Sequence, residues 1–434
     1  MNNNFLDIKI SELGRVLTGN TPPTSNRNLY EGKYPLIMPT DIVEGAKYIG
    51  KTAETISDEG FNKYEKSLIP ANTTCVVTIG TIGKKICLSK EPSFTNQAIN
   101  AIIVNVIKYD PIYVFYLLKY NLPQVKNLSS GTASGRENVN KSAFSGIKVK
   151  VPNLPTQKKI ANILSAYDDL IENNNQRIQL LEEMAAEIYK EWFVRLRFPD
   201  YQSATFVDKE GKEVPVGTEG ALPLGWEKVR IGDVFNTSSG GTPSRKREEY
   251  YLDGTINWVK TKELLGKFIF STEEKITEEA LKKSSTKIFE SNTILMGMYG
   301  ATLGRLGVLA ERSATNQACC AFLPINHLNY SCAYLFQFLK SKYKIFFNLS
   351  AGSAQQNLSQ ETIKKIIYLK PSQKILKEFD EIETPLFDEI KILMLKNETL
   401  QQTRDLLLPR LISGKLSVEN IDLTTLSKQE PIAN

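Results

Sequence analysis

The sequence predicts a mixed, α+β protein made of two copies of one globular unit, each followed by a long helix. Three observations predict it: motifs that recur at a near-constant offset, short β-rich runs that end at glycines, and heptad rows after each copy. Gly19-Asn20-Thr21-Pro22 returns 221 residues later as Gly240-Gly241-Thr242-Pro243. Thr95-Asn96-Gln97-Ala98 returns unchanged 220 residues later as Thr315-Asn316-Gln317-Ala318. Pro39-Thr40-Asp41 falls against Lys260-Thr261-Lys262, and Gly131-Thr132-Ala133 with Asn138 against Gly352-Ser353-Ala354 with Asn357. Pro155-Thr156-Gln157-Lys158 then meets Pro371-Ser372-Gln373-Lys374. Such an ordered offset marks a duplication.

The first globular copy is placed at residues 1–154 and the second at 223–370. In the first, Thr74 to Ile79 is a β-rich run ending at Gly80 and Gly83, and Pro111 to Lys119 reads as a helix. Their counterparts are Thr293 to Met298, ending at Gly300 and Gly304, and Cys332 to Lys340. Over 155–197 two heptad rows interleave: Ile160, Tyr167, Asn174, Leu181, Ile188 and Leu164, Ile171, Ile178, Ala185, Trp192. This is a coiled-coil seam in which Asn174 can fix register. Over 371–416 one row is unbroken (Phe379, Leu386, Leu393, Leu400, Leu407), the second is poorer, and Pro385 is expected to kink or break the helix near its start. Narrow, long seams favour two helices packed on each other over helices lying on their own domains. Residues 198–222 read as a polar linker and 417–434 as a loose tail.

With 434 residues, 41% hydrophobic and 24% charged, the chain has an ordinary globular composition. No run reaches the 18 or more apolar residues of a membrane span, and the start, with Asp7 and Lys9, lacks a signal peptide's apolar stretch, so the cytoplasm is expected. The five cysteines form no CxxC and read as buried free thiols. His327 is the single histidine, which excludes His-based triads and HExxH zinc sites. Residues 1–154 carry 18 basic and 12 acidic side chains, residues 223–370 carry 20 and 13, and all the rest 16 and 23. Two cationic blocks on an anionic scaffold suit two polyanion-binding domains.

Catalytic patterns match only on paper. Gly45 to Thr52 satisfies GxxxxGK[ST], yet no helical periodicity begins at Thr52 and the repeat keeps only Gly266, so a β-turn connection is expected there. Pro199-Asp200 followed by Glu210-Gly211-Lys212 resembles a nuclease metal site, but it lies in the polar linker, where Lys209 to Lys212 reads as a hairpin tip. A methyltransferase's glycine-rich cofactor loop and Asn-Pro-Pro-aromatic site are missing. The alternatives are a stand-alone nuclease or NTPase using the 45–52 or 199–212 matches, and a purely structural coiled-coil adaptor.

The duplication, the Gly-x-Thr-Pro starts, the paired Thr-Asn-Gln-Ala segments, Leu222-Pro223-Leu224-Gly225-Trp226 and the stretch Arg404 to Leu416 together resemble the specificity subunit of type I restriction-modification systems. The likeness covers almost the whole chain. It implies two target recognition domains, each reading one half of a bipartite, asymmetric double-stranded DNA site. It also implies antiparallel spacer helices that set the gap and dock two modification (methyltransferase) subunits, with two restriction subunits in the full complex. The chain itself is then non-catalytic and holds no metal; S-adenosylmethionine belongs to the modification subunits, and ATP and Mg²⁺ to the restriction subunits. A helix from Pro155 to Leu196 would be about 60 Å long, enough for half-sites about 34–36 Å apart.

Loops rich in small polar residues and arginine can offer amides to phosphate and side-chain forks to bases. The candidates are Thr21, Thr81, Lys84, Lys85, Ser134, Arg136 and Asn138 in the first domain. In the second they are Thr242, Arg245, Lys260, Lys262, Tyr299, Arg305, Gln355, Gln356 and Asn357. Some of the lysines are expected to be merely solvated. Asn96, Gln97, Asn316 and Gln317 recur identically, whereas domains with different targets should differ at base contacts. They are therefore expected to be buried amides that satisfy backbone groups.

Overall fold

The computed structural model describes residues 5–131, 137–325, 330–350 and 357–419. The chain forms two compact units, one of residues 1–173 with 397–434, the other of residues 174–396. The boundary therefore cuts both long helices, and each unit contains one globular copy with a segment of each helix.

In the first unit the strands Gly14–Thr18, Ile99–Val104, Thr74–Val77 and Ile86–Leu88 lie side by side in that order, all antiparallel. Thr74–Val77 is buried throughout, as a β-branched run at the centre of a sheet should be. A second sheet joins Glu54–Ile56, Tyr30–Ile37 and Phe94–Thr95. Leu6–Lys9 pairs antiparallel with Lys148–Val151, fastening the start of the chain to the segment that enters the first long helix. Helix Pro111–Tyr120 starts at Asp110, whose side chain accepts the Tyr113 amide at 2.8 Å, and it buries Tyr113 through Leu118.

The second unit repeats the plan. Phe235–Ser239, Cys319–Pro324, Ile294–Gly297, Leu306–Leu309 and Phe268–Ile269 form the main sheet, Glu227–Arg230 pairs antiparallel with Ile367–Lys370, and Ser331 caps helix Cys332–Ser341. The expected linker contains a three-stranded sheet of Phe206–Val207, Glu213–Val214 and Leu222–Pro223. Four cysteines are buried and Cys332 is half-buried, all as free thiols. No helix among the described residues is long and apolar enough to cross a membrane.

The first long helix, Leu154–Tyr189, continues as a π-turn over Lys190–Val194. The second is unbroken from Gln373 to Ile412, so Pro385 does not end it. Pro385 and Glu381 are both exposed, so the Glu381 carbonyl that loses its intrahelical donor stands on the watered side. Within each unit the helical segments run antiparallel. In the first, Asp168 meets Arg404 while Lys159 reaches the Val418 and Glu419 carbonyls. In the second, Arg177 pairs with Glu389 at 2.8 Å while Trp192 packs on Phe379 at 5.7 Å.

Of the first helix's predicted rows, Ile160, Leu164, Ile178 and Trp192 are buried, and Tyr167, Ile171, Leu181 and Ile188 half-buried. In the second helix Phe379 and Leu393 are buried, and Leu386, Leu400 and Leu407 half-buried. Its other row is Glu383, Ile390, Asn397, Arg404 and Leu411, of which all but Asn397 are buried. The second helix stops at Gly414, whose left-handed φ of +74° lets the Leu416 amide reach back to the Arg410 carbonyl at 2.9 Å.

Candidate nucleic-acid interface

In each unit the repeated motifs meet at one end of the main sheet. Gly19 to Pro22 leaves strand Gly14–Thr18 and closes onto the turn Thr95–Ala98, where the Asn20 amide donates to the Thr95 carbonyl at 2.8 Å. A Cβ on Gly19 would collide with the Thr95 and Asn96 carbonyls, which is why glycine recurs there. Across the turn, the Thr78 amide donates to Ala98, the Val139 amide to Thr78, and Ile79 bridges Asn138. The second unit matches bond for bond. Gly240 packs against the Thr315 carbonyl, Gly241 donates to Thr315, Met298 to Ala318 and Leu358 to Met298, and Tyr299 bridges Asn357. The prolines are held alike: Tyr30 donates its hydroxyl to the Pro22 carbonyl at 2.5 Å, and Tyr251 to Pro243 at 2.6 Å.

The repeated amides divide into two kinds. Asn96 accepts the Ala98 amide at 3.0 Å and Asn316 the Ala318 amide at 3.1 Å, so both asparagines close the turn. All four depart from the expected burial: Asn96 and Asn316 are half-buried, and Gln97 and Gln317 are exposed. Each glutamine accepts a hydroxyl from the other repeated motif, Thr21 onto Gln97 and Thr242 onto Gln317, both at 2.5 Å.

The structure gathers Thr21, Thr81 and Asn138 around this sheet end in the first unit, and Thr242, Tyr299, Arg305 and Asn357 in the second. Ser134, Arg136, Gln355 and Gln356, like His327, lie outside the described residues. Thr81, Lys84, Tyr299, Arg305 and Asn357 are exposed, and neither Lys84 nor Arg305 makes an ion pair among the described residues. Sequence reading missed Lys287 and Gln360, which donate to the Ser238 and Ser239 hydroxyls at 3.1 and 3.2 Å on the same strand end. Nothing in their local pattern separates them from solvated side chains.

Four predicted cations are engaged within the protein. Lys85 is half-buried and donates to the Pro39 carbonyl at 2.6 Å. Arg245 and Lys260 converge on Glu274 at 2.6 and 2.5 Å, and Lys262 pairs with Glu273. Arg245 also lies over the Tyr251 ring at 4.4 Å and the Trp258 ring at 5.1 Å. Hydrogen bonds from Arg245, then Lys260, hold the Glu274 carboxyl below the usual range. The three residues leave one net positive charge at this place, where the repeat positions of the first unit hold Thr24, Pro39 and Ala53.

The two enzyme-like matches have other roles. After Thr52 comes the strand Glu54–Ile56 and no helix, a turn precedes Lys47, and the buried Lys47 ammonium pairs with Asp169 at 2.8 Å. Glu210 stands at the tip of the hairpin Phe206–Val207/Glu213–Val214, where Asp208 accepts the Glu210 and Lys212 amides.

Comparison with known proteins agrees with this duplicated plan. The family described as "Type I restriction modification DNA specificity domain" matches residues 2–183 and 223–399. A relative from Methanocaldococcus jannaschii, the type I restriction enzyme MjaIX specificity subunit, is 28% identical over 429 residues, covering 95% of this chain and 94% of its own. The HindI specificity subunit of Haemophilus influenzae is 26% identical over 359 residues, covering 70% and 77%. The crystal structure of a type I restriction-modification S subunit from M. genitalium aligns with a TM-score of 0.58 at 19% identity, covering 94% of this chain and 96% of that one; it shows the fold.

Proposed function

Because the chain belongs to the type I restriction-modification DNA specificity family, we propose that each unit reads one half of a bipartite, asymmetric double-stranded DNA target through the sheet end described above. The chain is a specificity subunit and not itself an enzyme. One observation carries the proposal. Both units present the same braced scaffold, glycine on turn and threonine on glutamine, while the side chains around it differ. Shared framework with divergent surroundings is what two readers of different half-sites need. In this reading Thr81, Lys84 and Asn138, with Ser134 and Arg136, face one half-site; Tyr299, Arg305 and Asn357, with Gln355 and Gln356, face the other. Lys85, Arg245, Lys260 and Lys262 brace the surface and set its potential.

The long helices set the gap and dock two modification subunits, and two restriction subunits complete the complex. Exposed apolar side chains on the helices support docking: Leu170 and Leu406 in the first unit, Leu180, Met184, Ile392 and Leu395 in the second. S-adenosylmethionine is carried by the modification subunits, ATP and Mg²⁺ by the restriction subunits, and the complex works on cytoplasmic DNA.

The test is modular replacement. Exchanging residues 1–154 for the corresponding domain of another family member is expected to change one half of the target and leave the other intact. Binding of the reconstituted methyltransferase to a library of bipartite duplexes reads the outcome. A change in both halves, or in neither, refutes the proposal.

A further inference from the structure

We propose that Gln97 and Gln317 bind the sugar-phosphate backbone at equivalent places on the two half-sites, each aimed by a threonine hydroxyl. The inference rests on the DNA-reading role proposed above and adds what the repeated pair does within it. Gln97 and Gln317 are exposed at the sheet end, and each gives its carbonyl oxygen to a threonine hydroxyl, Thr21 or Thr242. That bond orients the amide so that its NH₂ group is the free edge, and no bond to that nitrogen closes among the described residues. An exposed amide contributes nothing to the core, and the adjacent asparagine already closes the turn. The elaborate part is the bracing: a glycine seated on the turn, a proline carbonyl held by a tyrosine, and a threonine donating to the glutamine, all present twice. Such bracing fixes one donor in space in both units.

What the donor meets follows from its identity in the two copies. Two domains that read different sequences share no base pattern, but they share phosphate and sugar oxygens. A neutral donor held rigidly suits a phosphate oxygen, and it positions the domain without carrying sequence information.

The substitution Gln97→Glu isolates the donor, because a carboxylate still accepts the Thr21 hydroxyl while its free edge becomes an anionic acceptor. The experiment uses the complex of the full chain with its modification subunits. Affinity is measured against salt on the cognate bipartite duplex, on one with a single half-site scrambled, and on an unrelated duplex. Gln97→Glu and Gln317→Glu are each expected to weaken all three by about tenfold or more, leaving their ratios unchanged. Gln97→Lys is expected to tighten all three and to steepen the salt dependence by about one unit. Unchanged affinity in the glutamate variants, with wild-type melting, overturns the inference. So does a loss confined to duplexes carrying the first half-site, which would make Gln97 a base reader. A wild-type complex with no preference for any bipartite duplex defeats the reading of the previous subsection, and the response of the unrelated duplex still decides this one.

Discussion

Replacing Arg404 with alanine is expected to destabilise the first unit by about 3–5 kcal/mol, a large fraction of the stability of any domain. Arg404 is 2% exposed and Asp168 6%. The guanidinium meets Asp168, donates to the Gly45 carbonyl at 3.2 Å and pairs with Asp405 at 2.8 Å, while the Tyr116 hydroxyl donates to the other Asp168 oxygen. Alanine would leave Asp168 buried without its cation, and the loss of one partner costs far more than the pair itself contributes. The pair also fastens the end of the second long helix, through Leu408, Leu411 and Ile412, to the core formed with Ile160 and Leu164. Urea unfolding of the full chain measures the loss, and hydrogen exchange over 397–412 reports release of the helix end. The double variant Arg404→Met with Asp168→Leu is expected to recover most of it, short of full recovery because Tyr116 loses its acceptor. A single variant as stable as the wild type would show that the buried pair is not what holds the helix end.

The same residues show why the second helix was only half legible in the sequence. Its poorer row is Glu383, Ile390, Asn397, Arg404 and Leu411, in which two charges and an amide interrupt the apolar period. Burial of the two charges depends on partners more than two hundred residues away or on the facing domain, which no local period can reveal. Pro385 misled for a related reason: its position predicts a lost hydrogen bond, but only the tertiary placement shows that water can replace it.

The duplication was legible because the fold enforces it. Gly19 and Gly240 recur where a strand end closes onto the Thr-Asn-Gln-Ala turn, so two motifs distant in sequence answer one steric demand. The candidate site was legible in outline only. Its loops were placed by their motifs, yet the pairing of Arg245 and Lys260 with Glu274, and of Lys85 with a carbonyl, joins positions 14 to 46 residues apart that carry no common pattern. Exposure separated Gln97 from Asn96, and adjacent amides of one motif cannot be told apart before the turn is folded.

The second large effect is a pH dependence carried by Glu383. This carboxyl is 0% exposed, and neither of its oxygens makes a well-formed hydrogen bond among the described residues. Gln337 faces it from helix Cys332–Ser341, at the repeat position of Tyr116, and no basic side chain among the described residues pairs with it. Burial above all, with the Asp380 carboxylate adding to it and Gln337 opposing, pushes the carboxyl from its ordinary 4.5 up to about 8. The folded chain therefore keeps a proton that the unfolded chain releases between pH 4.5 and about 8. Stability should fall as pH rises through that window, by up to about 1.4 kcal/mol per pH unit, and level off above it. Asp380, also raised by burial, adds a change of the same sign. The difference between the wild type and Glu383→Gln isolates Glu383, because glutamine keeps the shape of the protonated acid and cannot ionise. The variant is expected to match the wild type near pH 4.5 and to exceed it by a few kcal/mol at pH 8.5. Thermal melts across that range measure the gap, and a gap independent of pH would show that Glu383 does not hold a proton in the folded chain.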